Sequence, residues 1–251
     1  MPNHITNVIE FDCSPERFRQ IAEFLRGTPD RPLGTVDFNT LIPMPEALNI
    51  EAGSRGDTGL RAYREFLRKA KVLDQDYVPG LEEQYKEQFK DDPEIWELGK
   101  QYYANIEKHG ASNWYDWCIR NWGTKWNAYE CSQVEPASCM LTFNTAWSGV
   151  PEIIEKISEK FPDVKMTYSW ADEDIGYNVG SFTMEDGKVT GHNIPAPGSK
   201  EAFEMAAAIM DADLSDWGLT LTEDGTSYEW KEEEPLPLPE NKSEKIMGDA
   251  R

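Results

Sequence analysis

An α+β fold of the ferredoxin-like type, a split βαβ sandwich with an antiparallel sheet, is the class this sequence predicts. Three observations carry it. Two stretches of the chain repeat the order strand, helix, strand. Their helices each show one apolar stripe at helical spacing, as helices laid on a sheet do. Their strands alternate apolar and polar side chains, which suits one buried face. The term names a topology and implies no iron, because Cys13, Cys118, Cys131 and Cys139 lack cluster spacing.

The first repeat opens at Ile5 to Phe11, where Ile5, Asn7, Ile9 and Phe11 share a face. Asn7 has the parity of the apolar residues, and a buried amide must be hydrogen-bonded. It therefore pins a neighbouring loop or faces a ligand. Ser14-Pro15 is a helix start, with serine as N-cap and proline at the first helical position. Phe18, Ile21, Ala22 and Leu25 make the buried stripe, and Gly27 stops the helix. Val36 to Met44 is expected as the returning strand, closed by Pro43 and Pro45.

The second repeat begins at Cys139, with Leu141, Phe143, Thr145 and Trp147 on one parity. Pro151 starts a helix with Val150, Ile153, Ile154, Ile157 and Phe161 on its stripe, and Pro162 ends it. Val164, Met166, Tyr168 and Trp170 then alternate with Lys165, Thr167 and Ser169. Tyr177 to Met184 and Lys188 to His192 read as a hairpin around Asp186-Gly187, a favoured tight-turn pair.

Between the repeats the sequence predicts a helical insertion. Leu60, Tyr63, Leu67 and Ala70 form one stripe, and Leu81, Tyr85 and Phe89 a second. Asp92-Pro93 is expected to cap a third helix carrying Ile95, Trp96, Leu98, Tyr102 and Ile106. After Pro195 to Gly198, Ser199 caps a helix with Phe203, Ala206, Ala207 and Met210 inside, followed by a hairpin around Asp224-Gly225. The division expected is one domain over residues 1–231. Within it, 47–128 form the insertion, 129–194 the second unit with its hairpin, and 199–231 a C-terminal helix and hairpin. Residues 232–251 form an acidic tail expected to be disordered.

The net charge is −21 over 251 residues. Residues 55–108 hold 10 basic and 12 acidic side chains, while 150–240 hold 6 and 21. Phosphate contacts need clustered Lys and Arg, so direct nucleic-acid binding is disfavoured. A solvated surface explains the acidity. A surface that imitates nucleic-acid charge is the sharper alternative. No apolar run is long enough for a membrane span. The N-terminus does not resemble a secretory signal. A cytoplasmic protein with reduced cysteines is expected, although a Cys131–Cys139 pair is conceivable.

The densest motif is Asn113 to Asn127, NWYDWCIRNWGTKWN, with four of the nine tryptophans. Trp114, Trp117 and Cys118 share a helical face, and Gly123 ends that helix. Such a cluster is the centre of a core or the wall of a binding cleft. The candidate ligand- or partner-binding residues are Trp117, Asn121, Trp122, Lys125, Trp126 and Trp147, with the acidic run Asp172, Glu173 and Asp174. In one reading Lys125 holds an anionic group beside stacked rings. In the other it pairs with Asp172 or Glu173 and locks the insertion onto the second repeat. The acidic run is a solvated turn or a Mg²⁺ and acid–base site. His4, His109 and His192 show no ligand spacing, and no nucleotide or nucleophile motif appears. No catalytic residue, metal or cofactor is expected.

Several of these segments resemble the YubB-type ferredoxin-like domain family. They are Asn121 to Ala128, Phe143 to Ser148, Pro151, Phe161-Pro162, Ala171 to Asp174, Gly176 and Gly180. Asn3 to Asn7 and Phe38 to Pro45 resemble longer members. Ser148 to Pro151 carries less proline than the pattern, and Trp170 stands where tyrosine is more usual. The resemblance implies plasmid and phage proteins of bacteria, with no catalytic residues to carry over. Two functions follow as expectations. The first is a non-enzymatic accessory protein of a mobile genetic element that binds a protein partner, through an acidic surface in one version. The second is a small-ligand or nucleotide-binding or -processing domain built on the Trp/Lys cleft, with the acidic run as metal or general-base groups.

Overall fold

Strand β1 (His4–Asp12) is the centre of the sheet, and its Ile5, Ile9 and Phe11 are buried on one face. The computed structural model describes residues 3–72, 80–134 and 136–231. Helix α1 (Pro15–Leu25) starts on Ser14, whose Oγ accepts the Arg17 N–H at 3.3 Å. It buries Phe18, Ile21, Ala22 and Leu25 in the same core.

The strand expected at Val36 to Met44 does not form. The chain makes two short 3-10 turns there instead, Phe38–Thr40 and Glu46–Leu48. The cause is Asp37, whose Oδ1 caps the first turn by accepting the Asn39 N–H at 3.0 Å. Arg31 pairs with its other oxygen at 2.6 Å. Val36, Phe38 and Leu48 are buried as loop anchors, so their spacing imitates a strand.

Helices α2 (Ser54–Val72), α3 (Leu81–Glu87), α4 (Glu94–His109) and α5 (Trp114–Trp122) follow. α2 and α4 run antiparallel in backbone contact: a Cβ on Gly59 would lie 2.0 Å from the Ile95 carbonyl. Glycine is the one residue that permits this crossing. Tyr63, Phe66, Tyr85 and Trp96 pack edge-on beside it. Asp92 does not cap α4 as expected, because its carboxylate is held by Arg55 at 2.8 Å.

The second repeat is complete: β2 (Met140–Ala146), α6 (Pro151–Lys160) and β3 (Lys165–Asp172). A hairpin of β4 (Val179–Glu185) and β5 (Lys188–Asn193) extends the sheet. The strand order is β2-β1-β3-β4-β5, and every neighbouring pair is antiparallel. β1 lies between β2 and β3, so the βαβ unit is split and the fold is ferredoxin-like α+β. The outer edge of β2 is taken by residues 129–132. Tyr129 and Asn144 exchange backbone bonds of 3.1 and 2.8 Å, and the Ser132 N–H reaches the Thr142 carbonyl at 2.9 Å.

Helices α1 and α6 cover one face of the sheet. Helix α7 (Lys200–Met210) covers part of the other. Ala171 and Val179 pack with its Ala202, Phe203 and Ala206, and they have the opposite parity to Trp170 and Gly180. Ser199 caps α7, accepting the Ala202 N–H at 3.2 Å. β6 (Leu219–Leu221) and β7 (Tyr228–Trp230) make a separate two-stranded sheet. The tail expected from Glu232 lies outside the described residues. None of the described helices is long and apolar enough to cross a membrane.

Candidate functional site

The tryptophan motif divides in two at Gly123. Before it, α5 is capped by Asn113, whose Oδ1 accepts the Tyr115 N–H at 2.9 Å. Trp117, Cys118 and Trp122 face the core. The Trp117 and Trp122 rings meet edge to face at 5.4 Å, and the Trp122 indole N–H donates to the Ile42 carbonyl at 2.9 Å. Burial pushes the Cys118 thiol up to about 11, so it is inert at neutral pH. Asn121 donates to the Trp117 carbonyl at 2.9 Å and so braces the helix end. No disulfide joins the four cysteines, and the Cys139 thiol donates to the Cys13 carbonyl at 3.5 Å.

After Gly123 the chain turns outward. Thr124 pairs with the end of β2, donating to the Ala146 carbonyl at 2.7 Å and accepting its N–H at 3.1 Å. Asn127 accepts the Phe38 N–H at 2.9 Å and donates to Asp37 at 2.7 Å. These two anchors hold Lys125 and Trp126 at the surface between them. Lys125 Nζ stands 4.4 Å from the Trp126 ring centre, 5.1 Å from Trp147 and 5.9 Å from Tyr115. Trp126 is 37% exposed and Trp147 42%. Trp147 has φ of +72°, a left-handed conformation that is a genuine outlier for a bulky side chain. Its N–H, bonded to the Asn3 carbonyl at 2.9 Å, helps hold it there.

Two clefts flank this lysine. One, about 270 Å³, is lined by Trp114, Cys118, Trp122, Trp126 and Met44, with Asn49, Asn127 and Lys125 as its polar groups. The other, about 390 Å³, joins Lys125 to Tyr115, Asn113, Asp57 and Asp116. Trp122, Lys125 and Trp126 therefore line one cleft together, Trp147 closes over the lysine, and Trp117 lies behind in the core. Trp114 and Tyr115 line these clefts, although neither is among the candidate binding residues the sequence singles out. The motif contained them, but which face they present depends on how α5 docks.

The expected lock between Lys125 and the acidic run is absent. Lys125 has no ion pair among the described residues; its neighbours are rings. Asp172 is 7% exposed and has its own donors: Asn3 at 3.1 Å, the Asp174 N–H at 2.9 Å and Asn178 at 3.2 Å. Its carboxylate closes the β3–β4 turn, and no cation is needed. Glu173 and Asp174 point to solvent. Among the described residues no three His, Cys, Asp or Glu side chains converge as metal ligands. A chain of contacts still joins the two corners: Tyr129 touches Trp126 and bonds His4 Nδ1 at 2.7 Å, and the His4 carbonyl accepts the Glu173 backbone N–H at 2.9 Å.

Asn7 proves to be a pin. Its amide donates to Ile5, Phe143 and Thr145 and accepts the Tyr168 hydroxyl at 2.6 Å. Tyr168 in turn accepts the Val150 N–H at 2.8 Å, and Thr145 donates to the Ser148 carbonyl at 2.7 Å. The network fixes the β2–α6 loop. Beside that loop lies a further cleft of about 320 Å³, lined by Gly123, Ser148, Gly149, Pro151, Glu152, Tyr168, Trp170 and Phe182. The sequence reading missed it. Its one signal was glycine at 180 opposite Trp170, since a strand glycine marks a close approach.

Residues 125–213 match the family described as a ferredoxin-like domain in Api92-like protein. The match begins at Lys125 and runs through the second repeat, the β4–β5 hairpin and α7. Among solved structures, the crystal structure of a protein api92 from Yersinia pseudotuberculosis is similar at 11% identity and a TM-score of 0.35, over 79% of this chain and 99% of that one. No curated protein matches.

Proposed function

We propose that this chain is a non-catalytic accessory protein of a mobile genetic element that works by binding a partner protein. The docking face in this reading is the aromatic surface around Lys125. One observation carries it: Trp126, Trp147 and Tyr115 surround a lysine with no ion pair among the described residues, and two of those aromatic residues are more than a third exposed. Exposed aromatic clusters mark interaction sites, and tryptophan is prominent among interface anchors. The strained backbone of Trp147 supports the same reading, because strain concentrates at functional positions. The plasmid and phage setting is what the sequence resemblance suggests, and the negative charge favours a basic partner.

Capture from bacterial lysate at low and moderate salt tests this. Wild type is expected to enrich a saturable partner that the Trp126→Ala/Trp147→Ala variant loses. Equal capture by both would end the proposal.

The cleft of about 270 Å³ favours a second reading, since it sets a lysine, without an ion pair among the described residues, beside apolar rings and two amides. A small planar anion suits that lining. Thermal-shift screening with nucleotides, with and without Mg²⁺, and with aromatic carboxylates is the check. A ligand raises the melting point by mass action, and a flat screen removes this reading.

A further inference from the structure

The cleft beside the β2–α6 loop lies between the start of α6 and the sheet. Trp170 of β3 and Phe182 of β4 form its floor. The two rings are tilted by 55°, and glycine leaves room for the larger one. Trp170 stacks on Tyr168 at 5.5 Å and 24°, and a Cβ on Gly180 would lie 2.5 Å from the Trp170 ring. A Cβ on Gly149 would lie 3.3 Å from the same ring and 2.6 Å from the Tyr168 hydroxyl.

The lining side-chain donors are all committed. Ser148 donates to the Gly123 carbonyl, Tyr168 to Asn7 and the Trp170 indole to Asn178. One charged group is left over. Glu152 is exposed, and its Oε2 sits over Gly123, 2.9 Å from the position a Cβ would take there. It has no ion pair among the described residues, whereas Glu159 on the same helix is paired with Lys156 at 2.6 Å. The cleft thus offers a π face and a carboxylate without a cation. Its complement is a flat cation rich in donors.

We propose that this cleft takes an arginine side chain of a partner protein, with the guanidinium stacked on Trp170 and bonded to Glu152. Arginine fits better than lysine because its planar fork stacks on rings and bonds carboxylates bidentately. The net charge of −21 favours approach of a basic segment. The proposal rests on the reading of this chain as a partner-binding protein, and it names a different face from the one around Lys125.

The test is titration of the full chain, followed by tryptophan fluorescence and calorimetry, with a short peptide carrying one arginine. Matched peptides carry citrulline or lysine in its place. The arginine peptide is expected to bind saturably, and citrulline to weaken it about tenfold or more. Glu152→Gln should cost a similar factor with melting unchanged, since Glu152 lies at the surface. The Trp126→Ala/Trp147→Ala variant should bind the peptide as wild type does, even where it loses partner capture. Absence of saturable binding, equal binding of citrulline or lysine peptide, or an unaffected Glu152→Gln variant would each overturn the proposal. So would loss of binding in the Trp126→Ala/Trp147→Ala variant.

Discussion

Trp117 and Trp122 stand on one side of Gly123, Trp126 and Trp147 on the other, and the two pairs do opposite jobs. The first pair is almost wholly buried, edge to face, with the Trp122 N–H bonded to a loop carbonyl. The second is open to solvent around a lysine. The residue type is the same, and Trp122 and Trp126 lie only four positions apart. What differs is the anchoring: an apolar helix face carries the first pair inward, while Thr124, Asn127 and the Trp147 N–H hold the second outward. A tryptophan count therefore locates such a region without saying which rings are core and which are surface.

Unfolding measurements can break this comparison. Trp122→Ala should cost about 3–5 kcal/mol, the usual range for truncating a buried large aromatic. Trp126→Ala should cost no more than about 0.5 kcal/mol, as surface changes do. Similar losses in chemical denaturation would erase the distinction. Next in size is the pin between the halves: Asn7→Ala leaves the buried Tyr168 hydroxyl and Thr145 short of partners, at about 1–3 kcal/mol.

Asp37 links both sides to pH. Its burial opposes ionisation. Hydrogen bonds from Asn127 and Asn39, with the Arg31 charge, outweigh that and hold its carboxyl below the ordinary range. A carboxyl with a lowered folded-state pKa stabilises the fold above its unfolded pKa and loses that contribution as pH falls through the folded value. Acid titration should thus show a stability loss below about pH 4 that Asp37→Asn diminishes. An unchanged acid profile in the variant would show that the fold does not hold the Asp37 carboxyl below its ordinary range.

Smaller effects sharpen the exposed pair. Trp147→Gly should be neutral or stabilise by up to about 1 kcal/mol, since glycine accepts the positive φ without strain. It should still lose partner capture, and a marked drop in melting would mean that the ring packs as core. Lys125→Met should cost at most about 1 kcal/mol, the scale of exposed cation–π contacts. A larger loss would point to an ion pair in solution.

The local order of the chain is legible in its sequence. The Ser14 and Ser199 caps, the apolar stripes of α1, α6 and α7, and the Asp186-Gly187 hairpin all follow from spacing and turn chemistry between near neighbours. So did the split βαβ topology, because two strand–helix periods leave few ways to close a sheet. Tertiary structure decided the rest. Val36 to Met44 had the alternation of a strand, yet Asp37 found Arg31, Asn127 and Asn39, and residues 129–132 took the sheet edge. Lys125 had acidic partners available in sequence, yet Asp172 was already satisfied by Asn3 and Asn178. Periodicity reports which residues want burial. Which polar group meets which is settled by contacts between residues far apart in the chain, and those exist only once the sheet has closed.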